Sequence, residues 1–139
     1  MCSSDLGGTA GNPDSLKGYT IKMAMVSDIS LSTTFLTPAF QTVYGPFDFK
    51  PAVGTINTHF FSSPFYWNGT SNILIDICFA NGVYGYSAYQ TYYTTTSFTS
   101  TAYFQMDYPQ GLTACSNAAA NLAQAARPNM IFEIGRAHV

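Results

Sequence analysis

A carboxylate and a thiol two residues apart, Asp76 and Cys78, sit in the stretch SPFYWNGTSNILIDICFAN that begins at Ser63. A carboxylate among apolar neighbours can act as a general acid or base. A thiol can act as a nucleophile, a metal ligand or half of a disulfide. Each role needs partners. Acid–base work needs a second carboxylate or a histidine, and the sequence near Asp76 offers neither. Cysteine catalysis needs a close histidine and a reduced thiol, and a metal site needs more donors than two cysteines and the distant His59. Two structural pairings remain. A buried carboxylate must be paired or neutral, so Asp76 is expected to pair with Arg127 and pin a C-terminal strand; a solvated Asp76 at a strand edge is the alternative. Cys78 is expected to bond Cys115, the alternative being a buried free thiol.

Other side chains offer binding chemistry only. Tyr84, Tyr86, Tyr89, Tyr92, Tyr93, Tyr103 and Tyr108 crowd the second half, with Trp67 earlier. Of these, Trp67, Tyr86, Tyr89 and Tyr92 are candidates for a platform on which sugar faces stack; cross-strand Tyr and Thr pairing in a low-charge sheet is the plainer reading. Asp28 with Ser27, Ser30 and Ser32 offers oxygen ligands to calcium, but a single carboxylate is weak support. His59 is expected at the surface or rim. Asn68-Gly69-Thr70 matches a glycosylation acceptor and is better explained as a turn.

The two ends are set aside. Met1-Cys2-Ser3-Ser4-Asp5-Leu6 can be written as the DNA word GTGTGCTCTTCCGATCT. Its reverse complement reads Ile-Gly-Arg-Ala-His, the tail from Ile134 to His138. The word resembles a common sequencing-adapter oligonucleotide. Residues 1–6 and 134–139 are therefore expected to be assembly scars around a gene fragment.

The 139 residues suit one domain, expected over residues 19–133 behind a loop at 7–18. Charged residues make up only 9% and aromatics 16%. Between the ends, Lys17, Lys22, Lys50 and Arg127 face Asp14, Asp28, Asp48, Asp76 and Asp107, so there is no basic patch to bind nucleic acid. Abundant Thr, Tyr, Phe, Ser and Asn is a β composition, and hydroxyls and amides in place of charge suit an extracellular surface. No apolar run approaches the ~20 residues of a membrane span.

The elements follow from alternation. Residues 19–25 alternate strictly, with Tyr19, Ile21, Met23 and Met25 on one face. Residues 41–44 form a short strand stopped by Gly45-Pro46, and residues 47–53 and 55–61 are weaker strands. In residues 72–79, Ile73, Ile75, Ile77 and Phe79 oppose Leu74, Asp76 and Cys78. Both faces are mostly apolar, which predicts a central strand covered on both sides. Residues 86–95, 98–106 and 130–132 are further strands, and the Ala-rich 116–126 is a short helical turn or a loop. Many short strands at turn-punctuated spacing predict an all-β, antiparallel β-sandwich, jelly-roll-like.

Four segments in order, YTIKM, FQTVYGP, PFYWNGTSNILIDICFAN and RPNMIF, resemble a β-sandwich domain that recurs in secreted and surface multidomain proteins of Bacteroidetes. Such domains sit beside fibronectin-like, adhesin-like or protease domains in chains exported by the type IX route. The resemblance runs from about Tyr19 to Phe132. It implies an extracellular or cell-surface location and a sandwich incomplete at its N-terminal edge. The expected function is a non-catalytic accessory or adhesion-type module, not an enzyme and without a cofactor. Its partners would be other domains of the parent chain and a glycan or surface-protein ligand. The alternative is a carbohydrate-binding module attached to a polysaccharide-degrading enzyme.

Overall fold

The computed structural model describes residues 15–52, 54–81, 91–105, 113 and 115–133. Within them the chain is all-β and antiparallel. The strands are β1 (Leu16–Val26), β2 (Gln41–Phe49), β3 (Asn72–Cys78), β4 (Tyr93–Thr95), β5 (Thr101–Tyr103), β6 (Leu122–Gln124) and β7 (Ala126–Pro128). The scar reading of residues 1–6 and 134–139 lies outside the described residues. Strand β1 starts inside the segment read as a loop. Lys17 N donates to Asn81 Oδ1 (2.8 Å) and Ala80 N donates to Lys17 O (3.0 Å), tying its start to the chain just past β3.

The main sheet has the order β2-β1-β3. Its central strand is β1, so the expectation that residues 72–79 run through the middle is corrected. The double-sided apolarity of β3 reports coverage of both its faces, not pairing of both its edges; among the described strands it pairs with β1 alone. That pairing is regular from Thr20↔Cys78 to Val26↔Asn72. It places Ile21 beside Ile77 and Met23 beside Ile75 on one face. With Tyr19, Val43 and Phe79 they build the core, Met23 being only 2% exposed, while Ile73, Ile75 and Ile77 pack against it half-buried. Met25, at the end of the same stripe, is exposed.

Strand β2 does not stop at Gly45-Pro46. It runs through them to Phe49, and its register against β1 shifts at three places. Proline lacks the N–H a regular ladder needs and is tolerated in a strand at bulges and edges. Gly45 has φ +85°, and a Cβ there would run into the Tyr19 carbonyl oxygen. Beyond β2, residues 55–61 form no strand. They cross the core face instead, with His59 stacked on Tyr19, and Ser62 N then donates to Val43 O (2.9 Å) at the open edge of β2. Two attractions outcompete the alternation there: aromatic contact and edge bonding.

The remaining strands form two short ribbons, β4 with β7 and β5 with β6. They are one interrupted antiparallel pair. Ala125 alone separates β6 from β7, whereas residues 96–100 lie between β4 and β5. Thr96 N donates to Ala125 O (3.0 Å) and Ser100 N to Gln124 O (3.1 Å), which closes the excursion at its base. The Thr96 and Ser100 hydroxyls share a hydrogen bond of 2.8 Å, and Thr96 Oγ1 donates to Phe98 O. At the tip, Thr99 O accepts from Leu31 N (2.8 Å). Segment 33–35 then pairs with 118–120 through Ala120 N to Thr33 O (2.8 Å) and Phe35 N to Ala118 O (3.1 Å).

These bonds explain where the expected strands moved. The Ala-rich 116–126, expected as a short helical turn or a loop, begins at the end of a 3-10 turn over residues 115–116 and then holds β6. The strand expected at 98–106 narrows to β5 because its first residues belong to the excursion. The strand expected at 86–95 is described only from residue 91 and is regular over β4. The C-terminal strand is β7, not residues 130–132: pairing ends when Asn129 N donates to Tyr92 O (2.8 Å), and Met130, Ile131 and Phe132 are exposed. A three-stranded antiparallel sheet and an interrupted antiparallel ribbon are consistent with a β-sandwich.

Candidate functional site

The face of β1 and β3 turned away from the core carries Lys22, Ala24, Leu74, Asp76 and Cys78. Lys22 and Asp76 are direct register partners, and Lys22 Nζ lies 3.6 Å from Asp76 Oδ2. The expected Asp76–Arg127 ion pair is therefore corrected. Arg127 is exposed on β7, opposite Thr94, whereas Lys22 faces Asp76 across a single strand spacing. The signal for Lys22 was present in the sequence: two apolar alternating strands each carry one charge, and the charges are opposite.

Over this pair lies a groove of about 210 Å³. Lys22, Leu74 and Asp76 form its floor. Phe35, Leu36, Pro38 and Phe40 line it from the segment between β1 and β2, and Ala102, Cys115, Asn117 and Ala118 line it from the ribbon side. The sequence reads as a polar, Ser/Thr-rich connection over residues 28–34, and residues 35–40 announce no element. The apolar residues of these two stretches, Leu31, Phe35, Leu36 and Phe40, are spaced too irregularly for one, so the groove wall was missed.

Cys78 and Cys115 are bonded, with Cα atoms 5.7 Å apart, as expected from the sequence. Cys78 is buried under the groove-side face and Cys115 is an exposed lining residue, so the bond ties the main sheet to the 115–118 segment.

The structure does not gather the aromatic candidates into a platform. Tyr86 and Tyr89 lie outside the described residues. Trp67 is half-exposed in the turn before β3, where its Nε1 donates to Ser71 O (2.7 Å), and Tyr92 is 85% exposed beside β4. Asn68 Oδ1 accepts from the backbone of Thr70 and Ser71, the turn its sequence implies. Near Asp28, the Ser30 hydroxyl donates to backbone carbonyls, and the Ser32 hydroxyl donates to Thr34 O and accepts from Thr34 N.

Ring contacts instead converge on His59. It stacks on Tyr19 at 5.3 Å and meets Tyr44 and Phe49 edge-on at 4.9 and 4.6 Å. It is half-buried rather than a rim residue, and its Nδ1 is buried without a hydrogen-bond partner. Burial holds its pKa below the usual imidazole value, because the charged form loses solvation. Burial, with Tyr44 alongside, pushes the Tyr19 phenol up to about 12.

No known protein family, curated protein or solved structure matches the chain. Among the described residues no helix is long and apolar enough to cross a membrane. The disulfide and that observation are compatible with an extracellular location.

Proposed function

We propose that this chain is a non-catalytic module of an exported or surface-displayed protein, holding a binding face for a ligand or a neighbouring domain. The disulfide Cys78–Cys115 carries this reading. Such a bond forms and persists in oxidising compartments and is rare where glutathione keeps thiols reduced. The resemblance of four segments to secreted β-sandwich modules of Bacteroidetes supports the same location. The scarcity of charge supports it as well.

The test compares the chain produced in an oxidising periplasm with the chain produced in a reducing cytoplasm. Folded protein without free Cys78 and Cys115 thiols is expected only from the first. The oxidised protein is then offered a panel of glycosidase, esterase and peptidase substrates. Turnover of any of them would overturn the non-catalytic reading.

A second reading, a carbohydrate-binding module, is favoured by one observation. The groove sets an ammonium and a carboxylate side by side between aromatic and hydroxyl-bearing side chains, Phe35 and Phe40 with Ser32, Thr34 and Thr37. A glycan array separates it from a protein-binding role.

A further inference from the structure

The Lys22–Asp76 pair is unusual for a surface ion pair in its setting. It stands on a rigid two-strand floor, directly across the register, inside a concave and otherwise largely apolar groove. The two groups are not saturated by each other. Their 3.6 Å separation exceeds the about 2.7–2.9 Å of a tight charge-assisted bond. Both side chains keep contact with solvent, at 39% and 23% exposure. An ammonium has three donors and a carboxylate two accepting oxygens, so both retain capacity for a ligand.

The chemistry of that ligand follows from the lining. The two charges cancel, so the floor favours neither an anion nor a cation. It offers a donor and an acceptor close together, which two neighbouring ring hydroxyls satisfy at once: one donates to the Asp76 carboxylate, the other accepts from the Lys22 ammonium. Phe35 and Phe40 supply apolar wall for the C–H face of a ring. The volume of about 210 Å³ lies below the ~300 Å³ at which drug-sized pockets begin, which suits a single ring.

We propose that this groove binds a single neutral sugar residue, two adjacent hydroxyls bridging Lys22 and Asp76 while the ring lies against the Phe35–Phe40 wall. The inference rests on the carbohydrate-binding reading above and assigns its site.

The experiment is an amide-shift NMR titration of the oxidised chain. The probes are the methyl α-glycosides of glucose, galactose and mannose, with glycine as a small zwitterion that could also span the pair. Wild type is compared with Asp76→Asn, Lys22→Met and Trp67→Ala. At least one glycoside is expected to shift the amides of Lys22, Phe35 and Ala118 saturably. Asp76→Asn and Lys22→Met should each weaken that binding by about tenfold or more, and Trp67→Ala should leave it unchanged. Should Lys22→Met fail to fold, Lys22→Arg keeps the charge but changes donor geometry and should still weaken binding. Glycoside binding that disappears in Trp67→Ala and survives both groove substitutions would overturn the groove while leaving the carbohydrate reading standing. Glycine binding without glycoside binding would overturn the ligand class. Absence of any glycoside shift at millimolar concentrations, with an empty glycan array, would overturn both.

Discussion

His59 shows how a single residue can couple packing to pH. Its ring is one of four in contact with Tyr19, and its unpartnered Nδ1 has no acceptor ready for a second proton. The folded pKa lies below the unfolded one, so the unfolded chain binds protons first as pH falls. The stability His59 contributes is complete above about pH 6.5, the unfolded value, and is lost as pH drops through the lower folded value. Melting curves should show the midpoint falling through that window, and His59→Phe should flatten the slope there. At the other site, the Lys22–Asp76 pair is partly exposed, so its coupling should be under about 1 kcal/mol in a double-mutant cycle. Asp76→Ala and Arg127→Ala, by contrast, should add without coupling; a coupling comparable to that of Lys22 with Asp76 would restore the Arg127 pairing.

At the scale of elements, β1 and β3 were legible because both carry a period-two apolar stripe, and their unbroken register keeps that shared face intact. The same stripe orders the costs of truncation. Met23→Ala, at a nearly sealed position, should cost ~2–5 kcal/mol, and Ile75→Ala, half-buried, should fall at or below the low end of that range in denaturant melts. Strand β2 was only half legible. Gly-Pro reads as punctuation, and nothing local says that the chain turns a bulge against Tyr19 and continues. Gly45→Ala should therefore destabilise by roughly 2 kcal/mol or more, through its left-handed φ and the Tyr19 carbonyl together. Strands β4 and β5 were legible inside the longer strands expected at 86–95 and 98–106, but their limits were not, and β6 and β7 were missed. Each of the four has three residues, and their limits are set by Thr99 reaching Leu31 and by Ala125 facing the excursion. Those are contacts between segments far apart in sequence, which alternation does not encode.

At the scale of the whole molecule the disulfide is a covalent constraint between the main sheet and the 115–118 segment. It joins cysteines separated by 37 positions, and on a chain-entropy estimate a loop of that length contributes about 4 kcal/mol. Stability measured with and without a reductant should differ by roughly that amount, less where the reduced chain stays partly ordered. The cysteine pairing was legible because few cysteines were available. The groove was not, because its walls come from three separate stretches that only the folded chain brings over Lys22 and Asp76.

The two sulfurs of that bond live in different surroundings, and this bears on rates as well as on equilibrium. An incoming thiolate can reach Cys115, which is exposed on the groove lining, but not Cys78, which is buried. Attack at Cys115 forms a mixed disulfide there and must expel Cys78 as a thiolate into an apolar site, where charge is disfavoured and departure is slow. The bond should thus be kinetically durable even in moderately reducing surroundings. Cys115 lines the groove, so an occupant seated against it should slow its capture, and the capture rate would then report, without any label, how full the groove is.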